Sequence, residues 1–139
     1  YGQTSFTEEI GEGWTEKASR ILALPDTSDG RCTGISGKAR TAVRYAEKGN
    51  IVARLIWRKE LSAFYDLYKE HTASIGAAFV LSQGFFQKLL DTFADRMFWI
   101  GAYQDETLIS SSIFLYDRSH FYYWQNVNSL AGKKAQASY

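Results

Sequence analysis

Three runs rich in β-branched and aromatic residues follow one another with almost nothing between them. They are FWIGAYQ (98–104), TLISSSIFLY (107–116) and HFYYWQN (120–126), separated by Asp105-Glu106 and Asp117-Arg118-Ser119. Alternation along each run predicts a strand. A parallel return needs a crossover of a dozen residues or more, so links of two or three force antiparallel neighbours. The segment therefore reads as a meander, and whatever precedes it must supply the cover for one face.

Two helical patterns stand ready to do so. In residues 60–74 and just beyond, Leu61, Phe64, Tyr65, Tyr68, Thr72 and Ile75 recur at three- and four-residue spacing, drawing one apolar stripe that Gly76 stops. Residues 82–96 predict a second helix, with Ser82 as cap and Phe85, Phe86, Leu89, Leu90, Phe93 and Met97 as the buried face. Upstream, residues 38–48 predict a helix with Ala39, Ala42, Val43 and Ala46 on one side, Ser36 as cap and Gly49 as stop. A strand IVARLIW (51–57) follows and is expected to join the antiparallel sheet.

At 139 residues, 45% hydrophobic and 16% aromatic, the chain can build a worthwhile core and does not have the composition of a disordered one. No apolar run approaches the ~20 residues of a membrane helix, and no charged-then-apolar leader resembles a secretion signal. The expectation is a soluble, cytoplasmic protein. Cys32 is the lone cysteine, so it forms no internal disulfide, and nothing near it has metal-ligand spacing. No metal is expected.

Charge is unevenly spread. Between Arg31 and Lys59 there are eight Lys or Arg against Glu47 alone, a local net of +7 in a chain whose total is +1. Arg40, Arg44 and Lys48 stack at i, i+4 and i+8, a like-charge arrangement that costs a few tenths of a kcal/mol per pair in an isolated helix. Such a stripe is either a solvated face opposite the alanines or a contact for anionic matter: a phosphate-bearing substrate, a nucleotide or RNA backbone, or an anionic membrane surface. The compact patch fits the phosphate-bearing substrate best, and the net charge falls short of a dedicated nucleic-acid domain.

Catalytic groups are scarce. His71 lies beside the apolar stripe of its helix with no positioned partner, and His120 opens a strand after a turn. Asp105 and Glu106 are turn carboxylates, and Ser110, Ser111 and Ser112 read as small strand residues at close packing. No spacing carries a nucleophile motif. Aminolysis of an activated ester needs mainly positioning and an oxyanion donor, so transfer chemistry stays open. Phe121 and Tyr123 alternate with Tyr122 and Trp124, two rings to each side of a strand. One pair belongs to a core if helices cover the sheet, and the other is either packed as well or a stacking platform for a sugar, peptide or base.

The runs SGKARTAVRYAEKGNIVARL, LSAFYDLYKEHTASIG, LSQGFFQKLLDTF and FWIGAYQDETLISSSIFLYDRSHFYYWQNVN together resemble the FemAB-like branch of the GNAT acyltransferase superfamily. The resemblance covers residues 36–139 and implies an α+β fold: a GNAT-like mixed sheet, largely an antiparallel meander, with helices packed on it. Residues 1–35 are expected to form a lead-in strand and loop. The implied activity is transfer of an acyl or aminoacyl group to an amine, in cell-wall or extracellular-polymer synthesis, with acyl-CoA or aminoacyl-tRNA as donor and an anionic or nucleotide-linked acceptor. The +7 segment makes Lys38, Arg40 and Arg44 the expected holders of the anionic substrate, and by the resemblance Trp124, Gln125 and Asn126 border the reaction centre. In GNAT proteins a Gly-rich turn and helix for the cofactor pyrophosphate follow this strand, whereas here only Gly132, Lys133 and Lys134 stand before KKAQASY gives out. The chain is thus expected to be the N-terminal portion of the domain, without its cofactor-binding half and inactive alone. It would also expose an apolar edge near residues 122–126 and pair with a second copy. The competing expectation is a non-catalytic acyltransferase-like binding module.

Overall fold

The computed structural model describes residues 36–138, and the lead-in strand expected in 1–35, with Arg31 and Cys32, lies outside them. The elements run α1 (Gly37–Lys48), β1 (Val52–Leu55), a 3-10 turn (Arg58–Glu60), α2 (Leu61–Ser74), α3 (Gln83–Phe93), β2 (Met97–Gln104), β3 (Thr107–Tyr116), β4 (Phe121–Asn128) and α4 (Leu130–Lys134). All four strands form one sheet in the order β1-β2-β3-β4, antiparallel throughout. The expected meander and the expected pairing of the upstream strand are both present.

Local chemistry sets the ends of these elements. Ser36 and Ser82 cap α1 and α3 by accepting N–H bonds from Ala39 and Phe85 at 3.2 Å each. The β2–β3 link puts both Asp105 and Glu106 at positive φ, 47° and 63°, the backbone a two-residue turn needs to match the twist of its strands. Beyond β3, Asp117 Oδ1 accepts the N–H groups of Ser119 and His120 at 2.8 and 2.9 Å. His120 thus belongs to the turn, and β4 opens one residue later than expected.

The core lies between one sheet face and the helix pair α2–α3. Phe64 on α2 is fully buried and meets Trp99 of β2 edge-on at 4.5 Å and Phe86 of α3 at 5.0 Å. Leu61, Leu67, Tyr68, Leu89, Ile113 and Val127 complete it. Gly101 is required here, because a Cβ at that position would lie 2.7 Å from Leu108 and 2.9 Å from Ile56.

Three expectations about the helices need correction. α3 ends at Phe93, and Met97 opens β2 in register with Leu115, so strand pairing overrides the helical period there. Phe85, Phe93 and Ile75 are exposed rather than buried, since the sheet is narrower than the stripes that face it. Leu67, which lies off the expected stripe of α2, is buried. Among the described residues no helix is long and apolar enough to cross a membrane.

Candidate functional site

β4 forms one edge of the sheet, and its irregularity falls within residues 124–126, the stretch that the resemblance assigns to a reaction centre. Ile113 pairs with Gln125, but the next residue, Phe114, pairs with Tyr123, so Trp124 is the extra residue of a bulge. Trp124 is half-exposed and touches Phe85 and Phe86, with ring centroids at 6.1 and 6.4 Å. Phe121 and Tyr123 lie on the sheet face away from α2 and α3, beside Phe98, Phe114 and Tyr116, and Phe121 stacks on Tyr116 at 5.3 Å. All four rings of residues 121–124 stay exposed, so neither pair supplies the core.

Beyond the bulge the edge becomes polar. Ser129 N–H donates to the Ile109 carbonyl at 3.0 Å. In an antiparallel ladder, hydrogen-bonded and non-bonded pairs alternate, so Val127 and Gln125 face β3 while Asn128 and Asn126 turn their main-chain groups outward. His71 of α2 meets the outward groups of Asn128: its Nδ1 lies 3.3 Å from the Asn128 nitrogen and 3.2 Å from the Asn128 carbonyl oxygen. The outward N–H and C=O of Asn126 thus lie at the open edge between the His71 contact and the Trp124 bulge.

The side chains there are locked in one orientation. Asn126 Nδ2 donates to the Ser111 carbonyl at 3.3 Å and to Ser112 Oγ at 3.0 Å, and a carbonyl can only accept. Asn126 Oδ1 must then receive the amide of Asn128, at 2.5 Å. The consequence is that Asn128 Oδ1, fully buried, has no hydrogen-bond partner among the described residues. The serines are more than filler: Ser112 anchors Asn126, Ser110 Oγ donates to Val127 C=O at 3.3 Å, and Ser111 Oγ accepts the Trp99 indole N–H at 2.9 Å.

The basic segment divides on folding. Arg54 pairs with Glu60 at 2.6 Å and lies 3.7 Å above the Tyr103 ring, while Arg58 pairs with Asp91. Burial works against ionisation of Glu60, but the Trp57 N–H, the Tyr103 hydroxyl and Arg54 outweigh it and hold its carboxyl below the usual range. Burial, joined by the bond to Glu60, pushes the Tyr103 phenol up. Lys38, Arg40, Arg44 and Lys48 are exposed on α1 and make no ion pair among the described residues. α1 leads into β1, and the Gly49 carbonyl at its end accepts from Gln104 Nε2 on β2 at 3.2 Å. β1 and β4 are opposite edges, three strand spacings or roughly 14 Å apart. No hydrogen bond joins Lys38, Arg40 or Arg44 to Trp124, Gln125 or Asn126 among the described residues.

Asn128 and the contact of His71 escaped the sequence reading. The available signal was Val127, which continues the inward alternation and carries the strand two residues past Asn126. α4 was also unforeseen, although Ser129 before LAGKK is a cap sequence and its Oγ accepts the Gly132 N–H at 3.0 Å.

A helix pair laid on one face of an antiparallel meander, with a bulged outer strand, is the architecture of a GNAT-like α+β domain. A family model described as FemAB-like, peptidoglycan biosynthesis/recognition, matches residues 39–134, and the chain belongs to that family. No curated protein matches it.

Proposed function

We propose that residues 36–139 form part of a transferase domain that passes an acyl or aminoacyl group to an amine acceptor in the assembly of peptidoglycan or a related polymer. The observation that carries this is the open β4 edge, where the Trp124 bulge and the outward main chain of Asn126 adjoin the unpaired acceptor Asn128 Oδ1. A backbone N–H at an open edge can hold the carbonyl of an activated ester or thioester. Among the described residues no donor reaches the buried Asn128 Oδ1 beside it. The amine nitrogen attacks that carbonyl and forms the C–N bond. The ester oxygen or thioester sulfur departs with its electron pair and takes up the proton that the amine gives up, leaving as the free hydroxyl or thiol.

On this reading Lys38, Arg40 and Arg44 bind the phosphates of acyl-CoA, aminoacyl-tRNA or a nucleotide-linked acceptor. The separation between the two sheet edges suits a long ligand whose charged end lies on α1 while its reacting end reaches Asn126. The reaction belongs in the cytoplasm, where activated donors are made, and the exposed β4 edge is where a second copy would pair. The test is binding and transfer by the full chain with acyl-CoA, aminoacyl-tRNA and a nucleotide-linked peptide acceptor. Arg40→Ala and Arg44→Ala should each weaken binding about tenfold or more, the loss of one charged contact. Unchanged affinity would reduce α1 to a solvated face, and binding without transfer would make the chain a recognition module.

A further inference from the structure

Between His71 and Lys88 sixteen consecutive residues carry no charge. They form the end of α2, the connecting loop and the first turns of α3. Several of the largest apolar side chains there point into solvent: Phe79 is 75% exposed and Ile75 59%, with Val80 and Phe85 also exposed. Trp124, against Phe85, extends the same surface onto the sheet edge. The loop has not merely failed to collapse, because its backbone is built from both ends. Ala77 N–H donates to the Thr72 carbonyl at 3.0 Å, Gly76 turns the chain at φ +61°, and Leu81 N–H donates to the Tyr68 hydroxyl at 3.1 Å. A loop fixed at both ends, with its apolar tip outward, presents Phe79 and Val80 to something.

We infer that this tip docks the protein on a lipid bilayer, inserting Phe79 and Val80 at the headgroup boundary. Contiguous exposed apolar surface marks either a protein or a membrane contact. The tip offers no charged group with which a protein partner could set register. Phe79 is the most exposed large apolar side chain among the described residues. Its rim has the chemistry of a membrane interface: the indole of Trp124, against Phe85, combines an apolar body with a polar end. Lys88 lies one helical turn after Phe85, on the same side of α3, and makes no ion pair among the described residues, so it can meet an anionic headgroup. The tip rests on the bilayer, and among the described residues no helix is long and apolar enough to cross it.

The inference goes beyond the proposed transfer reaction and uses none of its residues except Trp124 at the rim. The full chain is sedimented with vesicles of phosphatidylcholine and with vesicles of phosphatidylcholine mixed with phosphatidylglycerol. Binding is expected to both and to be stronger to the mixture. Phe79→Ser with Val80→Ser should lower partitioning about tenfold or more on both, with a melting curve that shifts little, because Phe79 is 75% and Val80 46% exposed. Lys88→Gln should weaken binding to the mixture alone. Arg40→Ala with Arg44→Ala leaves binding to neutral vesicles intact, which separates this test from that of the transferase reading. Absence of vesicle binding, or binding indifferent to Phe79 and Val80, overturns the inference. Light scattering that finds a dimer dissolved by the same double substitution, without vesicle binding, assigns the surface to a second copy and overturns it equally.

Discussion

Replacing Ser111 by alanine tests whether the middle of the sheet is held by packing alone. Ser111 and Trp99 are each about 2% exposed, and the indole N–H donates to Ser111 Oγ at 2.9 Å. Removing the hydroxyl strands a buried donor that water cannot reach, at a cost of roughly 1–3 kcal/mol. For a domain of about 100 residues each kcal/mol lowers Tm by roughly 4–8 °C, so a loss near 2 kcal/mol is a fall of about 10 °C. Chemical denaturation followed by circular dichroism gives the free energy, and a double-mutant cycle isolates the bond. Trp99→Phe removes the N–H, so Ser111→Ala should then cost little, giving a coupling of at least about 1 kcal/mol. A loss below about 0.5 kcal/mol for Ser111→Ala alone, or an equal loss in both backgrounds, refutes the argument and returns Ser111 to the role of a small packing residue.

Gly132→Ala should displace α4, because its Cβ would lie on the Ile109 carbonyl oxygen; the cost is about 1–3 kcal/mol, and faster amide exchange at Lys133 is the readout. Glu106→Gly should stabilise the protein by about 0.5–1 kcal/mol in urea unfolding, since Glu106 occupies a backbone region that glycine enters without steric cost, and a destabilised variant would contradict the turn geometry. Asp117 should titrate at about 2, held down first by the N–H of Ser119 and then by that of His120. Its folded value is depressed, so its contribution to the β3–β4 turn is complete above the ordinary carboxylate pKa and is lost as pH falls through about 2. A carboxyl NMR titration with its midpoint near the ordinary aspartate value of 3.8 would remove the turn bonds from the account.

Periodicity and link length made the helix pair and the meander legible, because those signals are local and repeat several times. Ser36, Ser82 and Asp105-Glu106 behave as their side chains or link length demand. The end of α3 was not legible: Met97 fits the helical stripe, and only its partner Leu115, on a strand not yet formed when the helix is read, decides otherwise. The charge pattern misled in the same way. Arg58 counts toward a basic segment until the fold brings Asp91 to it from 33 positions away. Of the candidate site, Trp124, Gln125 and Asn126 lie on β4, an edge strand of the sheet. What makes that edge distinctive is the bulge, the outward turn of Asn126 and the orphan oxygen of Asn128. These depend on hydrogen-bond register between strands, which no window of sequence contains.

The strand order carries a kinetic consequence. β2, β3 and β4 follow one another through links of two and four residues, whereas β1 must wait for about 40 intervening residues to loop back before it can pair with β2. The entropy of closing that loop exceeds that of the β2–β3 turn by about 2.7 kcal/mol, growing as 1.5RT times the logarithm of the length ratio. β1 is also only four residues long and exposed along its whole length. It is tied to the rest by the ladder, the Arg54–Glu60–Tyr103 contact and the Gln104–Gly49 bond, all at the sheet's edge, so in native-state hydrogen exchange its amides should open at a fraction of the global unfolding energy. The three-stranded hairpin assembly is the persistent unit, and the segment that brings α1 and its cations alongside is the part that comes and goes.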